Sequence, residues 1–169
     1  IAELDDGEVV TTTSALTKSL RLLQFASSFA ETEVTEEWDE EKQEVVPHTK
    51  VYLKAPSNKV DAFIDDIEDF GKSQVVVFAA SKQLINLLAD KLEKKGYILG
   101  RQYGLITGDI GIDDRQQYMD RFQSGKMQFM LCTTGAGGTG ITLTAASTAV
   151  YLQRPWSMIE SEQSEARIR

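Results

Sequence analysis

The feature that most constrains the fold is a run of short apolar strand patterns, each alternating with a helical pattern, from residue 74 onward. Val75-Val76-Val77-Phe78 is the sharpest of them. A strand with one wet face alternates apolar and polar residues. A run that is apolar at every position suits a strand covered on both faces, as in parallel sheets. Ser81 reads as the N-cap of the next helix, which carries Leu84, Ile85, Leu88 and Leu92 and is closed by Gly96. A weaker strand pattern spans Gln102–Thr107. Asp113 or Asp114 opens a second helix, with Tyr118, Met119 and Phe122 facing inward and Gly125 at its end. Phe129–Cys132 and Thr148–Leu152 give two more strands. Pro155 breaks the chain, and a further helix is predicted from about Met158. This repetition predicts an α/β fold: a parallel, doubly wound sheet with helices on both faces and right-handed crossovers. Ligands then sit at the carboxyl ends of the strands, on the loops at Ser81, Gly108 and Thr133–Gly140.

The last of these loops is rich in glycine. Thr133-Thr134-Gly135-Ala136-Gly137-Gly138-Thr139-Gly140 directly follows a strand pattern. Its glycines let the backbone approach a ligand and turn N–H groups toward an anion, while threonine hydroxyls can bond phosphate oxygens without adding charge. Gly135-x-Gly137-x-x-Gly140 fits the dinucleotide fingerprint, but it follows the third strand, and no acid lies between Gln153 and Ile159 where a ribose-binding carboxylate belongs. A tight turn against a neighbouring helix is the plain structural alternative. A Walker phosphate loop is not expected.

The segment before residue 74 differs in charge. Residues 1–73 hold 17 acids and 7 bases, whereas residues 74–169 hold 9 acids and 11 bases. The formal net charge of −8 therefore belongs to the first part, and the second part carries a small positive excess. Residues 15–30 place Leu16, Leu20, Leu23 and Ala30 at helical spacing behind Ser14. Glu31 to Lys50 is an acidic stretch read as a solvated loop or exposed hairpin, or as an acidic surface that guards or mimics nucleic acid. Val34, Val45, Val46, Val51, Tyr52 and Leu53 can form a short antiparallel pair, and His48 reads as a surface residue. Ser57 caps a helix whose stripe is Val60, Phe63, Ile64, Ile67 and Phe70, ended by Gly71. A single cysteine, Cys132, excludes an internal disulfide or a cysteine-built zinc site, and it reads with Tyr103 as a core residue. No apolar run nears the ~20 residues of a membrane span, so no membrane partner and an intracellular location are expected.

Read together, Val75 to the end resembles the second RecA-like lobe of superfamily 2 helicases, in particular the Swi/Snf-type DNA translocases. Val75–Ser81 resembles motif IV, and Ile106-Thr107-Gly108-Asp109 with Arg115 and Phe122 resembles the segment that follows it. Thr134-x-Ala136-Gly137-Gly138-x-Gly140-Ile141-x-Leu143-Thr144-x-Ala146 is similar to motif V. Pro155-Trp156-Ser157 with Gln163-x-Glu165-x-Arg167 resembles the approach to motif VI. Three positions depart from the family: Gly135 stands for a basic residue, Thr142 for asparagine, and Gln153 for the aspartate before the proline-tryptophan segment. Arg169 falls where the family usually has histidine, so the second arginine of motif VI is not assigned.

The resemblance implies an organisation and a site. Residues 1–57 would be a lead-in of helix and acidic hairpin or loop, and residues 58–169 the lobe. A start at Ile1 and an end within motif VI imply a portion of a longer chain. Such enzymes bind ATP and Mg2+ between two lobes. No Gly-Lys-Thr loop and no Asp-Glu-x-His box occurs here, so the first lobe is expected as a partner elsewhere in the protein, with DNA as the other partner. By carry-over, Arg167 would stabilise charge on the transferred phosphoryl group. Gly138, Gly140, Thr142 and Gln163 would line the ATP side. Ser81, Thr107, Gly108, Arg115 and Thr134 would hold the nucleic-acid backbone, with Arg115 equally readable as a structural salt-bridge partner. Trp156 reads as packing rather than stacking. No residue set is assigned to a metal, no cofactor is expected to bind this chain tightly alone, and the chain by itself is expected to be inactive. Two other readings are a dinucleotide- or methyl-donor-binding enzyme and a non-catalytic interaction module with the lobe fold.

Overall fold

The computed structural model describes residues 2–3, 9–10, 15–39, 43–137, 141–154, 162–163 and 165–166. The chain divides into two compact units, Ile1–Ser57 and Asn58–Arg169.

In the first unit, β1 (Ala2–Glu3) pairs antiparallel with β2 (Val9–Val10). Helix α1 (Ala15–Phe25) precedes a long hairpin of β3 (Phe29–Asp39) and β4 (Glu44–Lys54). The pair runs in unbroken antiparallel register from Phe29↔Lys54 to Asp39↔Glu44. The helix expected over residues 15–30 is therefore shorter, and Ala30 lies in β3 opposite Leu53. The Ser27 hydroxyl explains the stop: it donates to the Leu23 carbonyl at 2.6 Å and draws the chain away from a further turn. Beyond it, Thr32, Val34 and Thr35 are β-branched and favour the strand. Residues opposite one another share a face, so Val34, Trp38 and Val45 lie on the same side as Val51 and Leu53. Val51 and Leu53 are buried, whereas Val34, Trp38 and Val45 are exposed. On the other face Tyr52 donates to Glu33 Oε2 at 2.9 Å. Arg21 Nη2 ties α1 to β4 through the Thr49 carbonyl at 3.0 Å. His48 lies in β4 opposite Thr35, and its side chain is outside the described ones.

The second unit opens with α2 (Asn58–Asp65) and a 3-10 turn (Asp66–Glu68). Val60, Phe63, Ile64 and Ile67 are buried, and Gly71 takes φ +54°, a left-handed conformation that ends the element cheaply only for glycine. Then come β5 (Val75–Ala79), α3 (Lys82–Lys94), β6 (Tyr103–Ile106) and α4 (Ile112–Gln123). The chain continues through β7 (Phe129–Thr133), a single turn α5 (Thr134–Gly137) and β8 (Thr148–Tyr151). All four strands are parallel in the order β6-β7-β5-β8. Gly111, not Asp113 or Asp114, is the N-cap of α4. The two aspartates instead lie in its first turn, where a carboxylate meets the positive end of the helix dipole.

Both faces of the sheet are covered, as the continuous apolar strands require. Val76, Phe78, Met130 and Cys132 pack on one face with Phe122 of α4 and with Ile141, Leu143 and Ala146. On the other face Phe129 meets Phe63 and Tyr97, each at 5.7 Å between ring centroids, and α3 buries Leu84, Ile85, Leu88 and Leu92. Each such large apolar side chain contributes roughly 1.5–3 kcal/mol on burial. Tyr103 is fully buried, and its hydroxyl donates to Glu93 Oε1 at 2.9 Å.

Candidate functional site

Parallel register brings the strand ends to one edge. Ala79 lies opposite Thr133, Ile106 opposite Cys132, and Phe78 opposite Tyr151. The loops that leave at Ala80, Thr107, Thr134 and Leu152 therefore start side by side. They carry Ser81, Thr107, Gly108 and Thr134, all singled out from the sequence. Arg115, one turn into α4, joins them.

The loops after β5, β6 and β8 are cross-linked. The Ser81 N–H donates to Gln153 Oε1 at 3.0 Å, and the Leu152 N–H donates to the Phe78 carbonyl at 2.9 Å. Ser81 occupies the N-cap position of α3 but makes no side-chain capping bond. Gln153 is buried beside it, so an uncharged amide holds the backbone of Ser81. Nothing in the sequence pointed to that role beyond a polar residue at a strand end.

Thr107 is buried, and its hydroxyl donates to Asp109 Oδ1 at 2.6 Å. The other Asp109 oxygen, Oδ2, lies 2.9 Å from Lys82 Nζ. These bonds hold the Asp109 carboxyl down to about 2, from an ordinary 3.8, first through Lys82 and then through Thr107. Arg115 Nη2 donates to the Thr107 carbonyl at 3.0 Å, so its partner is the backbone rather than a carboxylate. Its Nε is buried and has no hydrogen-bond partner among the described residues. Gly108, between these groups, is exposed.

The glycine-rich loop is described as far as Gly137. Thr134 is buried at the start of α5, directly below the loop. After the loop, Ile141 and Leu143 are buried and Thr142 between them is exposed. Gln123 of α4 clamps this return segment: Nε2 donates to the Thr142 carbonyl at 2.7 Å, and Oε1 accepts from the Ala145 N–H at 2.9 Å. Gln163 is exposed. Arg154 reaches Glu165 at 3.5 Å and stacks over the Tyr151 ring at 4.8 Å. Gly138, Gly140, Pro155, Trp156, Ser157 and Arg167 lie outside the described residues, as does Ser14. The predicted helix from about Met158 is described only at residues 162–163 and 165–166, which are helical.

A Gly-Lys-Ser triplet does occur, at Gly71-Lys72-Ser73. It is not a phosphate loop: Asp66 stands where the leading glycine is required, and the triplet precedes β5 rather than following a strand. Among the described residues no group of three or more His, Cys, Asp or Glu could hold a metal ion, and no helix is long and apolar enough to cross a membrane. Burial pushes the Cys132 thiol well above its ordinary range, which leaves it inert packing at neutral pH.

The model of the helicase conserved C-terminal domain matches residues 58–169. Chromodomain-helicase-DNA-binding protein 8 of Danio rerio is 36% identical over 100 residues, which are 57% of this chain and 4% of that protein. Chromodomain-helicase-DNA-binding protein 9 of Mus musculus is 35% identical over 100 residues, again 57% of this chain and 3% of the relative. The chain thus spans only a few per cent of these relatives' length. Among solved structures, the C-terminal part of the Fun30 ATPase domain superposes with a TM-score of 0.58 at 22% identity, covering 66% of this chain and 36% of that one. S. cerevisiae Dbp5 bound to RNA and ADP BeF3 superposes with a TM-score of 0.51 at 20% identity, covering 63% and 28%. Both likenesses are of fold, a parallel α/β sheet of RecA type.

Proposed function

The chain belongs to the family of the helicase conserved C-terminal domain, and on that premise we propose that residues 58–169 serve as the second lobe of an ATP-dependent DNA translocase of Swi/Snf type, with residues 1–57 as its lead-in. The observation that carries the reading is the gathering of Ser81, Thr107, Gly108, Arg115 and Thr134 at one sheet edge, next to a glycine-rich loop. Backbone N–H groups, hydroxyls and one arginine at a strand-end edge suit phosphates, which position a protein without reading sequence. The small charge excess of residues 74–169 is compatible with that grip, since only a few contacts need be ionic.

The ATP side falls on the same glycine-rich loop and the segment beyond it. Thr142 is exposed between two buried anchors and supplies a hydroxyl for a ribose, and Gln163 supplies an exposed amide. Gly138 and Gly140 would leave room for the nucleotide, and Arg167 would supply positive charge to the transferring phosphoryl group. Among the described residues no group of three or more His, Cys, Asp or Glu could hold a metal ion. Magnesium and the triphosphate then belong to the first lobe, the required partner. Because Gln123 fastens the return segment to α4, which also bears Arg115, a change on the ATP side would be felt at the nucleic-acid side. An intracellular location follows from such a substrate.

The test is Arg167→Ala in the complete protein. DNA-stimulated phosphate release should fall by roughly a thousandfold or more, as for loss of an arginine finger, with circular dichroism unchanged. Near-normal turnover would remove Arg167 from the site. DNA-stimulated turnover by the 169-residue chain alone would overturn the need for a first lobe.

A further inference from the structure

The ion pair between Lys82 and Asp109 links the loop after β5 to the loop after β6, at the edge where backbone phosphates are proposed to lie. We infer that the Asp109 carboxylate occupies the seat of a nucleic-acid phosphate, and that an incoming phosphate displaces it and recruits Lys82. The inference rests on the nucleic-acid reading above and deepens it, naming Lys82 as a gripping cation and Asp109 as its built-in competitor.

The donor set supports this. One carboxylate oxygen accepts from the Thr107 hydroxyl at 2.6 Å and the other faces the Lys82 ammonium at 2.9 Å. A hydroxyl and an ammonium converging on one anion from the ends of β6 and β5, the two strands that flank β7, are what a phosphate oxygen pair would use. The Thr107 carbonyl is held separately by Arg115, so the residue need not move when its hydroxyl changes partner. Asp109 is ionised at neutral pH like any ordinary aspartate, and these donors pull its proton affinity lower still.

The exchange is cheap. Side chains of Lys82 and Asp109 are 49% and 55% exposed. An exposed pair of this kind shifts an equilibrium by no more than roughly fivefold, and it weakens further in salt. A phosphate contact instead gains from counterion release. A second pair, Lys91–Asp61, has the same 2.9 Å length but joins α3 to α2. Lys91 lies about 14 Å along α3 from Lys82, away from the strand-end edge. It provides an internal control.

The experiment measures binding of the complete protein to a fluorescent duplex DNA by anisotropy, from about 50 to 200 mM salt. Asp109→Asn keeps an acceptor for Thr107 and removes the competing charge, so binding should tighten roughly two- to fivefold at low salt, and Asp61→Asn should not reproduce the gain. Lys82→Ala should flatten the slope of log affinity against log salt by about one. In the Lys82→Ala background, Asp109→Asn should give no gain. The inference is overturned if Asp109→Asn fails to tighten binding, if Asp61→Asn matches it, or if the gain survives without Lys82. Should Asp109→Asn misfold by circular dichroism, the Lys82→Ala slope decides alone, and an unchanged slope refutes the proposal. A folded wild type that binds no duplex at any salt would overturn the nucleic-acid reading itself, a different result from binding that ignores Asp109.

Discussion

Gly104→Ala tests whether the packing between β6 and α4 is as close as the structure shows. Gly104 lies in the buried strand β6, and a Cβ built there would sit 2.9 Å from Met127 Sδ, 2.9 Å from Tyr118 Cβ and 3.1 Å from Tyr118 Cγ. Met127 Sδ is the flexible part of a side chain and can give way. Tyr118 Cβ cannot, because it is bonded to the α4 backbone. The helix must therefore move by several tenths of an ångström. Overpacking of this kind costs about 1–3 kcal/mol. Against it stands the lower chain entropy of unfolded alanine, worth about 0.4–1 kcal/mol. The midpoints of the two ranges leave a net loss of about 1.3 kcal/mol. With a urea slope near 2 kcal/mol per molar, the unfolding midpoint should fall by roughly 0.5–1 M, followed by far-ultraviolet circular dichroism. Because α4 also carries Arg115, the bond to the Thr107 carbonyl should loosen, and DNA binding should weaken in step. A midpoint that stays put or rises would refute the packing argument. Lost stability with full DNA binding would separate the packing from the proposed grip.

Three further outcomes follow from particular bonds. Gln153→Ala removes the acceptor of the Ser81 N–H and should cost about 1 kcal/mol, with faster amide exchange at Ser81; unchanged exchange would mean the bond is not formed in solution. The Asp109 carboxyl should titrate near 2 in a carbon-detected pH series. Its pKa is depressed on folding, so its stabilising share is present above the ordinary value near 4 and is lost as pH falls toward 2, and a midpoint near 4 would contradict the Lys82 and Thr107 contacts. Cys132, fully buried, should resist a thiol reagent until the chain unfolds, and rapid labelling of the native protein would show the β7 core to be open.

The lobe was largely legible because its strands are short, apolar throughout and separated by helices with one buried stripe. Val75–Phe78 could hardly be anything but an interior parallel strand, and the residues of α3 fell on the face expected of them. The boundaries that failed did so where local polar chemistry competes with periodicity. Ser27 ended α1 by bonding to Leu23, which no spacing of leucines records. Gly111 took the cap of α4 because the loop backbone is extended there, at ψ 156°, which leaves the aspartates to the first turn. At the candidate site, the motifs singled out Ser81, Thr107, Gly108, Arg115 and Thr134 for a proposed role but did not say how they are held. The Gln153 amide on Ser81 and the Gln123 clamp join residues far apart in the chain, and the Thr107–Asp109 bond, though local, lies inside a motif that does not say which side chains meet. Periodicity carries no information about such pairs.

The β3–β4 hairpin has a consequence for association. Among the described residues each strand pairs only with the other, and although Arg21 takes the Thr49 carbonyl of β4, the eleven-residue ribbon keeps two outer backbone rows with no further strand beside them. Such rows invite another strand, and Val34, Trp38 and Val45 on one face would reward it. The acids along β3 oppose this: a second copy laid alongside would bring Glu31, Glu33 and Glu36 against their own kind. The acidic stretch read from the sequence as a loop, a hairpin or a nucleic-acid-like surface thus also bears on the protein's own copies, as charge that opposes edge-to-edge pairing of the ribbon.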